Sequence, residues 1–384
     1  MSYGQKTEEA EKAAGSRKDS ARDRFVTQLA LARITSIFFS VSSVLFSASS
    51  VSALGFEPVT PGKKIEFPRD AGAHLGHRIE WWYVTGNLET KRGPMGFQVT
   101  FFRLRNPDAE ANPSRFSPRE LLFAHAALAD PAKGRLLADQ RSARSIEGVA
   151  DASSADTAVR IDDWRLERGG AGYRTRIAAE SFALELDFTP TQPPMPQGDR
   201  GFSRKGPKPS QASYYYSEPQ LRVSGRVVSQ GEALDVHGVA WLDHEWSSEL
   251  LAEEAQGWDW LGVNLDDGGA LMAFRIRAKD GSPLWAGATY RAPGSAEKSF
   301  TPAQVAFTPR RTWKSPRTGA AYPVAMEVVV GSMQWTIEPL MDDQELDARS
   351  STGTVYWEGA VRVSGASGGR GYLELTGYSE RLRF

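Results

Sequence analysis

Residues 241–246 read Trp-Leu-Asp-His-Glu-Trp and place three ionisable side chains between two tryptophans. Burial raises the pKa of a carboxyl group, so that it can deliver a proton near neutral pH, and aromatic faces stabilise a developing cation. In an extended strand, Asp243 and Glu245 would share one face, and His244 and Trp246 would share the other. We interpret Asp243 and His244 as candidate catalytic residues.

Tryptophans close to this segment are candidate walls of an apolar ligand pocket. They are Trp241, Trp246, Trp258 and Trp260. A second interpretation is purely architectural: the tryptophans belong to the core, and the carboxylates cap a short helix predicted over Ser247–Glu254. The sequence favours function, because the matching end of an internal repeat described below lacks the Asp-His-Glu triplet.

A second polar group precedes the aromatic run Trp81-Trp82-Tyr83. His74, His77 and Glu80 have the spacing of metal ligands on a helix. Gly72 and Gly76 surround the histidines, however, and a strand follows them, so we favour a hydrogen-bonded turn and expect no bound metal. Glu80 is a third candidate catalytic residue, since it enters an aromatic strand. Trp82 and Tyr83 are candidate ligand contacts.

His125 lies among apolar residues in a predicted strand, where it either makes a core hydrogen bond or contacts the ligand. The chain has no cysteine, which excludes disulfides, thiol nucleophiles and cysteine-based metal centres. Its formal net charge of −1 argues against a nucleic-acid partner. Serine-hydrolase, zinc-protease and phosphate-loop motifs are also missing.

The chain after residue 53 has the pattern of many short strands. Alternating or apolar segments separated by turn residues predict an all-β fold of antiparallel barrels or sandwiches. The predicted strands include Phe97–Leu104, Val159–Leu166, Phe182–Phe188, Val236–Trp246, Leu271–Arg277 and Val355–Val363. Residues 190–213 are rich in Pro and Gly, and they predict either a loop over a barrel mouth or a lid.

An internal repeat predicts two homologous domains. Tyr216–Gly225 recurs as Tyr356–Gly365, with six of the ten positions identical. Trp82 followed by Phe102-Arg103 likewise parallels Trp258 followed by Phe274-Arg275. Two matches in the same order indicate a duplication. We place the domains at residues 54–250 and 251–384.

Residues 1–53 have the features of a signal peptide. Basic residues precede the uncharged apolar stretch Ile34–Ala48, and Val51-Ser52-Ala53 has the small-x-small pattern of a cleavage site. We expect cleavage near Ala53, a periplasmic or secreted mature protein, and no transmembrane span in it. The alternatives are an uncleaved anchor or a misplaced start codon. Export argues against ATP or NAD as cosubstrates, and we expect no cofactor.

Three segments together resemble the AttH-like family, which includes hydroxyneurosporene synthase (carotenoid 1,2-hydratase). They are Ile79–Leu88, Phe97–Arg103 and Trp241–Trp246. The resemblance covers nearly the whole chain after residue 53. It implies two tandem lipocalin-like (calycin-type) antiparallel β-barrels with a cavity near their junction. It also implies a bulky apolar, isoprenoid-like ligand and hydratase-like, acid-catalysed addition of water to an alkene.

Alkene hydration assigns roles to these residues. Asp243 or Glu80 would be the acid, and His244 would orient or deprotonate the water. Trp82, Trp246 and Trp258 would surround the cation.

The resemblance implies that His244 and Trp246 match a His-x-Trp of the hydratase site. The next strand reads Leu271-Met272-Ala273-Phe274, where the hydratase branch carries Tyr-x-Asp. This difference argues against carotenoid hydration itself.

Two other functions stay open at this point. The chain could be a non-catalytic lipocalin-type binding or accessory protein linked to an ABC exporter, as the resemblance also implies. It could also be a shape template of the pericyclase type, which needs no ionisable group.

Overall fold

Alternation of apolar and polar residues builds the fold from strands with one buried face. In the strand Phe182–Thr189, for example, the residues at 182, 184, 186 and 188 are buried and those between them are more exposed. The computed structural model describes residues 55–381 except 110, 111, 115, 171 and 250. The predicted signal peptide, 1–53, lies outside the described residues.

The first sheet has thirteen strands: β1 (Ile79–Thr90), β2 (Gly93–Arg105), β3 (Glu120–Ala129), β4 (Leu137–Arg144), β5 (Ala150–Ala152), β6 (Ala158–Ile161), β7 (Trp164–Gly169), β8 (Gly172–Ala178), β9 (Phe182–Thr189), β10 (Met195–Pro196), β11 (Phe202–Arg204), β12 (Ala212–Ser229) and β13 (Glu232–Glu249). Its hydrogen-bonded order is β4-β3-β2-β1-β13-β12-β9-β8-β7-β6-β5, and β10 and β11 pair with β12.

The second sheet has ten strands: β14 (Ala255–Leu265), β15 (Ala270–Ala278), β16 (Pro283–Arg291), β17 (Glu297–Phe300), β18 (Val305–Lys314), β19 (Ala321–Val330), β20 (Met333–Pro339), β21 (Glu345–Ala348), β22 (Thr354–Gly365) and β23 (Gly369–Leu375). Its order is β17-β16-β15-β14-β23-β22-β20-β19-β18, with β21 paired to β22. Strands β14, β15, β22 and β23 occupy the places that β1, β2, β12 and β13 have in the first sheet.

Both sheets curve, one into a nearly closed barrel and one into a half-barrel, which confirms the predicted all-β, lipocalin-like fold. Arg141 of β4 helps to bring the two ends of the first sheet together. Its Nη1 donates to the carbonyl oxygen of Ile161 in β6 at 3.1 Å. The chain leaves the first sheet at Glu249 and enters the second at Ala255. The division into domains 54–250 and 251–384 stays a prediction.

The repeated ten-residue string lies on equivalent strands. Tyr216–Gly225 is part of β12 and Tyr356–Gly365 is part of β22, each paired with the last strand of its sheet. The final glycine of each string has a positive φ, +147° at Gly225 and +132° at Gly365. A Cβ there would lie 2.1 or 2.3 Å from a carbonyl oxygen of the neighbouring strand. Close strand contact therefore explains why both copies have glycine.

Two sequence-based predictions of elements are wrong. The predicted helix Ser247–Glu254 does not form, because β13 stays paired with β1 and β12 and continues to Glu249. The hydroxyl of Ser247 donates to the carbonyl oxygen of Ala212 at 2.7 Å and supports this pairing. The carboxylates of Asp243 and Glu245 therefore do not cap a helix at this place. The predicted strand Val159–Leu166 is two strands, β6 and β7, with a turn at Asp162 (φ +54°).

The helices among the described residues are 3₁₀ turns of three residues, at Arg69–Ala71, Pro107–Ala109, Pro131–Lys133 and Pro302–Gln304. None of the described helices is long and apolar enough to cross a membrane.

Residues 190–213 lead from β9 into β12 of the first sheet and also contact the second sheet; we call them the connecting segment. The short strands β10 and β11 pair with β12, and Gln192 and Pro193 bind the second sheet. The guanidinium of Arg291 in β16 donates to the side-chain oxygen of Gln192 at 2.8 Å and to the carbonyl oxygen of Pro193 at 2.9 Å. These contacts hold the connecting segment against both sheets in this structure.

Apolar side chains pack between the two sheets and define a junction. It is formed on the first sheet by residues such as Tyr83 and Trp241 and on the second by Trp260 and Phe274. At one point of the junction, β2 approaches β22 so closely that a Cβ at Gly96 would lie 2.5 Å from the Cβ of Ala360. Only glycine fits this contact without moving the sheets apart.

We expect Gly96→Ala to lower the free energy of unfolding by about 1–3 kcal/mol, because the added methyl group overpacks the junction. Urea unfolding measures the effect. Gly169→Ala is the matched control, since Gly169 also lies in a strand but a Cβ there has no atom within 4 Å. Equal stability of the two variants would show that the sheets do not pack as described.

Candidate active site

Strand β13 lies between β1 and β12, and its alternate side chains enter two different regions. His244 and Trp246 point into the first barrel, whereas Trp241 and Asp243 point to the junction. We call the first region the barrel cluster; it consists of His74, Glu80, Trp82, Arg103, Tyr216, His244 and Trp246. The second is the junction cluster; it consists of Tyr83, Tyr215, Trp241, Asp243, Glu245, Trp258 and Trp260.

Glu80 is the centre of the barrel cluster. Its Oε1 lies 2.7 Å from Nδ1 of His74 and 2.8 Å from Nε2 of His244. Its Oε2 accepts hydrogen bonds from Nε of Arg103 at 3.0 Å and from the backbone N–H of His74 at 2.8 Å. Both oxygens of this fully buried carboxyl group are thus bonded to groups from three separate parts of the chain.

Neighbouring groups orient the two histidines. Nδ1 of His244 lies 3.2 Å from the hydroxyl of Tyr216, and Nε2 of His74 lies 3.2 Å from a carboxylate oxygen of Asp70. The ring of Trp246 stacks on that of His74 with centroids 3.6 Å apart and planes 5° apart. The barrel cluster is therefore a continuous network whose ring orientations are held on several sides.

The network keeps Glu80 ionised. Burial raises its pKa, but hydrogen bonds from His244 and His74 and the charge of Arg103 outweigh burial and hold the pKa well below its usual range. Burial lowers the pKa of His244, and its bond to Glu80 only partly opposes this. An ionised carboxylate cannot donate a proton, so Glu80 is a poor candidate for the acid.

His74, Glu80 and His244 also have the atoms needed to hold a metal ion. One ligand atom from each lies within 4.8 Å of the others. In this structure those atoms are hydrogen-bonded to one another, and Arg103 adds a positive charge at 3.0 Å from Glu80. The arrangement is that of a hydrogen-bonded ionic network. The turn expected around His74 and His77 is present, with His77 N–H donating to the carbonyl oxygen of His74 at 3.0 Å.

Asp243 is the corresponding centre of the junction cluster. Its Oδ2 accepts from the hydroxyl of Tyr215 at 2.7 Å. Its Oδ1 accepts from the hydroxyl of Ser217 at 2.5 Å and from Nε1 of Trp241 at 2.6 Å. Nε1 of Trp260, on the second sheet, donates to the same Tyr215 hydroxyl at 3.0 Å. A hydrogen-bonded chain therefore leads from Asp243 across the junction.

The carboxyl group of Asp243 stays protonated up to a higher pH than that of Glu80. Burial raises its pKa from 3.8 to about 7, against the opposing effect of its three hydrogen-bond donors. All three donors are neutral, so none supplies the charge that Arg103 supplies to Glu80. Asp243 therefore has the protonation behaviour expected of the acid.

Two carboxyl groups of the second sheet also lie at the junction, Glu358 fully buried and Glu374 partly buried. Glu358 of β22 and Glu374 of β23 are directly opposite each other in register. Burial, and then the charge of Glu374, raises the pKa of Glu358 well above its usual value. Burial raises the pKa of Glu374 to about 7, and Asp243 is among the charges that add to this. The junction thus collects carboxyl groups that ionise reluctantly.

Half-buried apolar side chains pack against the junction. They are Trp81, Leu251, Trp258, Leu284, Trp285 and Leu340. Arg204 of the connecting segment lies over the ring of Trp285, 4.5 Å from its centroid. Exposed aromatic area of this kind, next to a buried acid, suits contact with a bulky apolar molecule.

The structure divides the residues that the sequence assigned to one site. Asp243, Tyr83, Trp241, Trp258 and Trp260 lie at the junction. Glu80, Trp82, His244 and Trp246 lie in the first barrel, on the other face of β1 and β13.

His125 belongs to neither cluster. Its ring nitrogens lie 2.8 Å from the hydroxyl of Tyr356 and 2.9 Å from that of Ser351. Burial lowers its pKa to about 3, so it is a neutral core histidine that joins β3 to the second sheet.

Sequence reasoning missed several residues that lie in the two clusters or beside them. Tyr216 and Glu358 lie in the repeated string, and Arg103 lies in the repeated Phe-Arg pair, so the duplication was a usable signal for them. Lys205 gave no such signal: it comes from the connecting segment, and its Nζ lies 2.9 Å from a carboxylate oxygen of Glu245.

Comparison with known proteins identifies the family. The sequence profile of the AttH-like family matches residues 58–378. The chain belongs to the AttH-like family. Among proteins of curated function, none matches this AttH-like chain.

Solved structures share its fold. A protein from Nitrosomonas europaea described as an AttH is 56% identical, with a TM-score of 0.79, over 84% of this AttH-like chain and 100% of that one. Kievitone hydratase from Nectria haematococca is 14% identical, with a TM-score of 0.63, over 85% of this chain and 98% of its own.

We expect Glu80→Gln to destabilise the AttH-like protein by about 3–5 kcal/mol, because it leaves Arg103 charged and buried without its main partner. Urea unfolding at pH 7 measures this. Glu120→Gln is the control, since Glu120 also pairs with Arg103, at 3.3 Å, but is 21% exposed. Its loss should be smaller, and equal losses would contradict the central place of Glu80.

We expect the stability of the wild type, relative to Asp243→Asn, to fall as the pH rises from about 4 to about 7. A carboxyl whose pKa is higher in the folded state binds more protons there than in the unfolded state. Its contribution is complete below pH 3.8, its ordinary pKa, and is lost as the pH rises through about 7. The loss should be of the order of 1–4 kcal/mol.

Urea unfolding at several pH values measures this difference. The control is Asp187→Asn, on the outer face of β9, which should follow the wild-type pH profile. Parallel profiles of the wild type and Asp243→Asn would refute the assignment of Asp243 as a protonated acid.

Proposed function

We propose that this AttH-like protein binds a bulky apolar molecule at the junction and adds water to one of its double bonds, with Asp243 as the acid. The observation that carries the proposal is the environment of Asp243: a buried carboxyl group with a pKa raised to about 7, surrounded by aromatic side chains. Proton delivery to an alkene carbon requires this combination of a neutral acid and an apolar, aromatic surrounding.

The proposed reaction balances without a cofactor. The proton of the Asp243 carboxyl adds to one alkene carbon, and the π electrons form the new C–H bond. The other carbon becomes a tertiary cation. Water adds to it through oxygen, and the proton that the water loses returns to the Asp243 carboxylate. The product is a tertiary alcohol, and the acid is restored.

Side chains around Asp243 suit the intermediates of this reaction. The ring of Trp260 lies edge-on to that of Tyr83, with centroids 5.3 Å apart, and Trp241 lies 6.3 Å from Trp260. Faces of such rings attract a cation by their quadrupole. The hydroxyl of Tyr215, bonded to both Asp243 and Trp260, is in position to orient the attacking water.

His244 receives a different role from the one its sequence position suggested. Its ring lies in the first barrel, bonded to Glu80, whereas Asp243 faces the junction. A substrate at the junction cannot contact both. We therefore assign His244 and Glu80 as positioning residues. They hold β13 on its barrel face and so fix the position of Asp243 on the opposite face.

A hydratase of the same fold supports the proposal at the level of architecture. Kievitone hydratase shares the two-sheet arrangement, so the fold accommodates addition of water. We further propose export of the protein to the periplasm or the medium, on the strength of the apolar segment and cleavage pattern before residue 54.

A non-catalytic binding protein is the second candidate. The observation that favours it is the number of donors already bonded to Asp243 within the fold, three in all, which a purely structural acid would also have. In that case the same apolar rim would hold a molecule for transfer, and an ABC exporter would be a suitable partner.

We expect protein purified from its own host to carry two organic species that differ by one water. Mass spectrometry of the extract identifies them, and incubation of the lighter species in ¹⁸O-labelled water should give a labelled alcohol. Asp243→Asn should abolish labelling and retain the ligand. Glu218→Gln, which alters a buried carboxyl of the first barrel, should still give the labelled alcohol.

Each outcome decides between the candidates. A single unmodified molecule, bound equally by the wild type and Asp243→Asn, would favour the binding protein. Undiminished labelling by Asp243→Asn would exclude Asp243 as the acid.

A further inference from the structure

Five buried polar side chains at the junction have an atom that makes no hydrogen bond of normal length and angle within the described part of the chain. These atoms are the hydroxyls of Tyr83, Thr85 and Tyr372, Oε1 of Gln98 and Oε1 of Glu358. The side chains are between 94% and 99% buried, with Tyr83 at 6% exposure and the others at 2% or less. We call these five residues the polar patch.

Strand register places the first three members together. Tyr83 and Thr85 are two residues apart on β1, so they share its junction face. Gln98 of β2 is directly opposite Thr85. The next junction-facing residue of β1, Asn87, donates from Nδ2 to the carbonyl oxygen of Gly371 in β23 at 3.2 Å.

Contacts with the second sheet bring the other two members to the same place. Tyr372 follows Gly371, and its Cε2 would lie 3.5 Å from a Cβ at Gly96, two residues before Gln98. The same Cβ would meet Ala360, which is two residues after Glu358 on one face of β22. The polar patch is therefore one continuous surface formed by both sheets.

Burying a polar group without a hydrogen-bond partner is unfavourable, because the group loses its bonds to water and gains none in exchange. Native proteins leave few such groups, and those that persist call for an explanation. Tyr83 and Glu358 are close enough for a hydrogen-bonding interaction that shifts the pKa of both groups, but they form no bond of normal geometry. Five such atoms in one place, on strands that pair normally, indicate a further partner outside the fold.

The chemistry of the patch indicates what that partner is. Three hydroxyls can donate or accept, and the amide oxygen of Gln98 accepts. Burial, and then the charge of Glu374, raises the pKa of Glu358 well above its usual value and so favours its neutral form. A neutral surface that donates and accepts suits a hydroxyl or carbonyl oxygen better than an ion.

The patch adjoins the aromatic part of the junction. The ring of Tyr83 lies 5.3 Å from that of Trp260, which is bonded through Tyr215 to Asp243. A ligand could therefore contact both regions at once.

We propose that the polar patch is a subsite that hydrogen-bonds the oxygenated end of a ligand whose apolar body lies against the junction tryptophans. The substrate class is then an apolar molecule with a hydroxyl or carbonyl at one end, and not a pure hydrocarbon. The proposal rests on the proposed function only in placing the ligand at the junction.

The first test needs no ligand. The double variant Tyr83→Phe/Tyr372→Phe should have an unchanged or higher Tm, since neither hydroxyl makes a hydrogen bond of normal length and angle in the fold. The control is Tyr322→Phe, because the hydroxyl of Tyr322 donates to the buried carboxylate of Glu345 at 2.9 Å. The control should lower the Tm. A comparable fall in the double variant would overturn the proposal.

The second test compares two probes with the same carbon skeleton, the alcohol farnesol and the hydrocarbon farnesene, by quenching of tryptophan fluorescence. The wild type should bind farnesol more tightly, by about 2- to 10-fold for each hydrogen bond formed. The double variant should lose this preference, and Tyr322→Phe should keep it. Equal binding of both probes by the wild type, or no binding of either, would overturn the proposal.

The same measurement on Asp243→Asn separates this proposal from the proposed reaction. If Asp243→Asn prefers farnesol and catalyses no hydration, the polar subsite is supported independently of the role of Asp243. If the wild type hydrates its natural substrate but has no preference for farnesol, the subsite is refuted and the reaction is not.

Discussion

The alternation of side chains along β13 is the constraint on which both clusters depend. Because the strand is paired on both sides, with β1 and with β12, its side chains have only two directions available. One direction leads into the first barrel and the other to the second sheet. Adjacent residues, Asp243 and His244, therefore belong to different environments although a single peptide bond joins them. A slip of one residue in the pairing would exchange the two.

These environments give opposite protonation to two equally buried carboxyl groups. Glu80 bonds to two histidines and an arginine, so positive charge and hydrogen bonding exceed the cost of burying its negative charge. Asp243 bonds to two hydroxyls and an indole, all neutral, and burial prevails. The kind of hydrogen-bond donor thus decides which carboxyl is ionised. The barrel cluster is thus a charged hydrogen-bonded network, while the junction cluster contains a carboxyl group whose pKa is raised to about 7.

The packing of two similarly ordered sheets explains why Asp243 is buried. Equivalent strands of the two sheets keep the same order, and the glycines that allow close strand contact are kept with them. The junction is formed by the outer faces of both copies, which in a single barrel would face solvent. Glu358 becomes fully buried there, and Glu374 partly buried, because the first sheet covers them. Their raised pKa values are therefore properties of the pair of barrels.

The sequence by itself determined the all-β class, the family and the repeat, because these follow from local alternation, turn residues and recurring strings. It also determined that Asp243 and His244 point in opposite directions, since that requires only an extended backbone. The tertiary structure alone decided that Ser247–Glu254 is not a helix, because pairing with β1 and β12 overrides the local preference. It also decided that Glu80 joins His244 and not Asp243. Glu80 and His244 are 164 positions apart, and only the register between β1 and β13 brings them to 2.8 Å. The protonation of each carboxyl depends on such distant partners, which no local pattern contains.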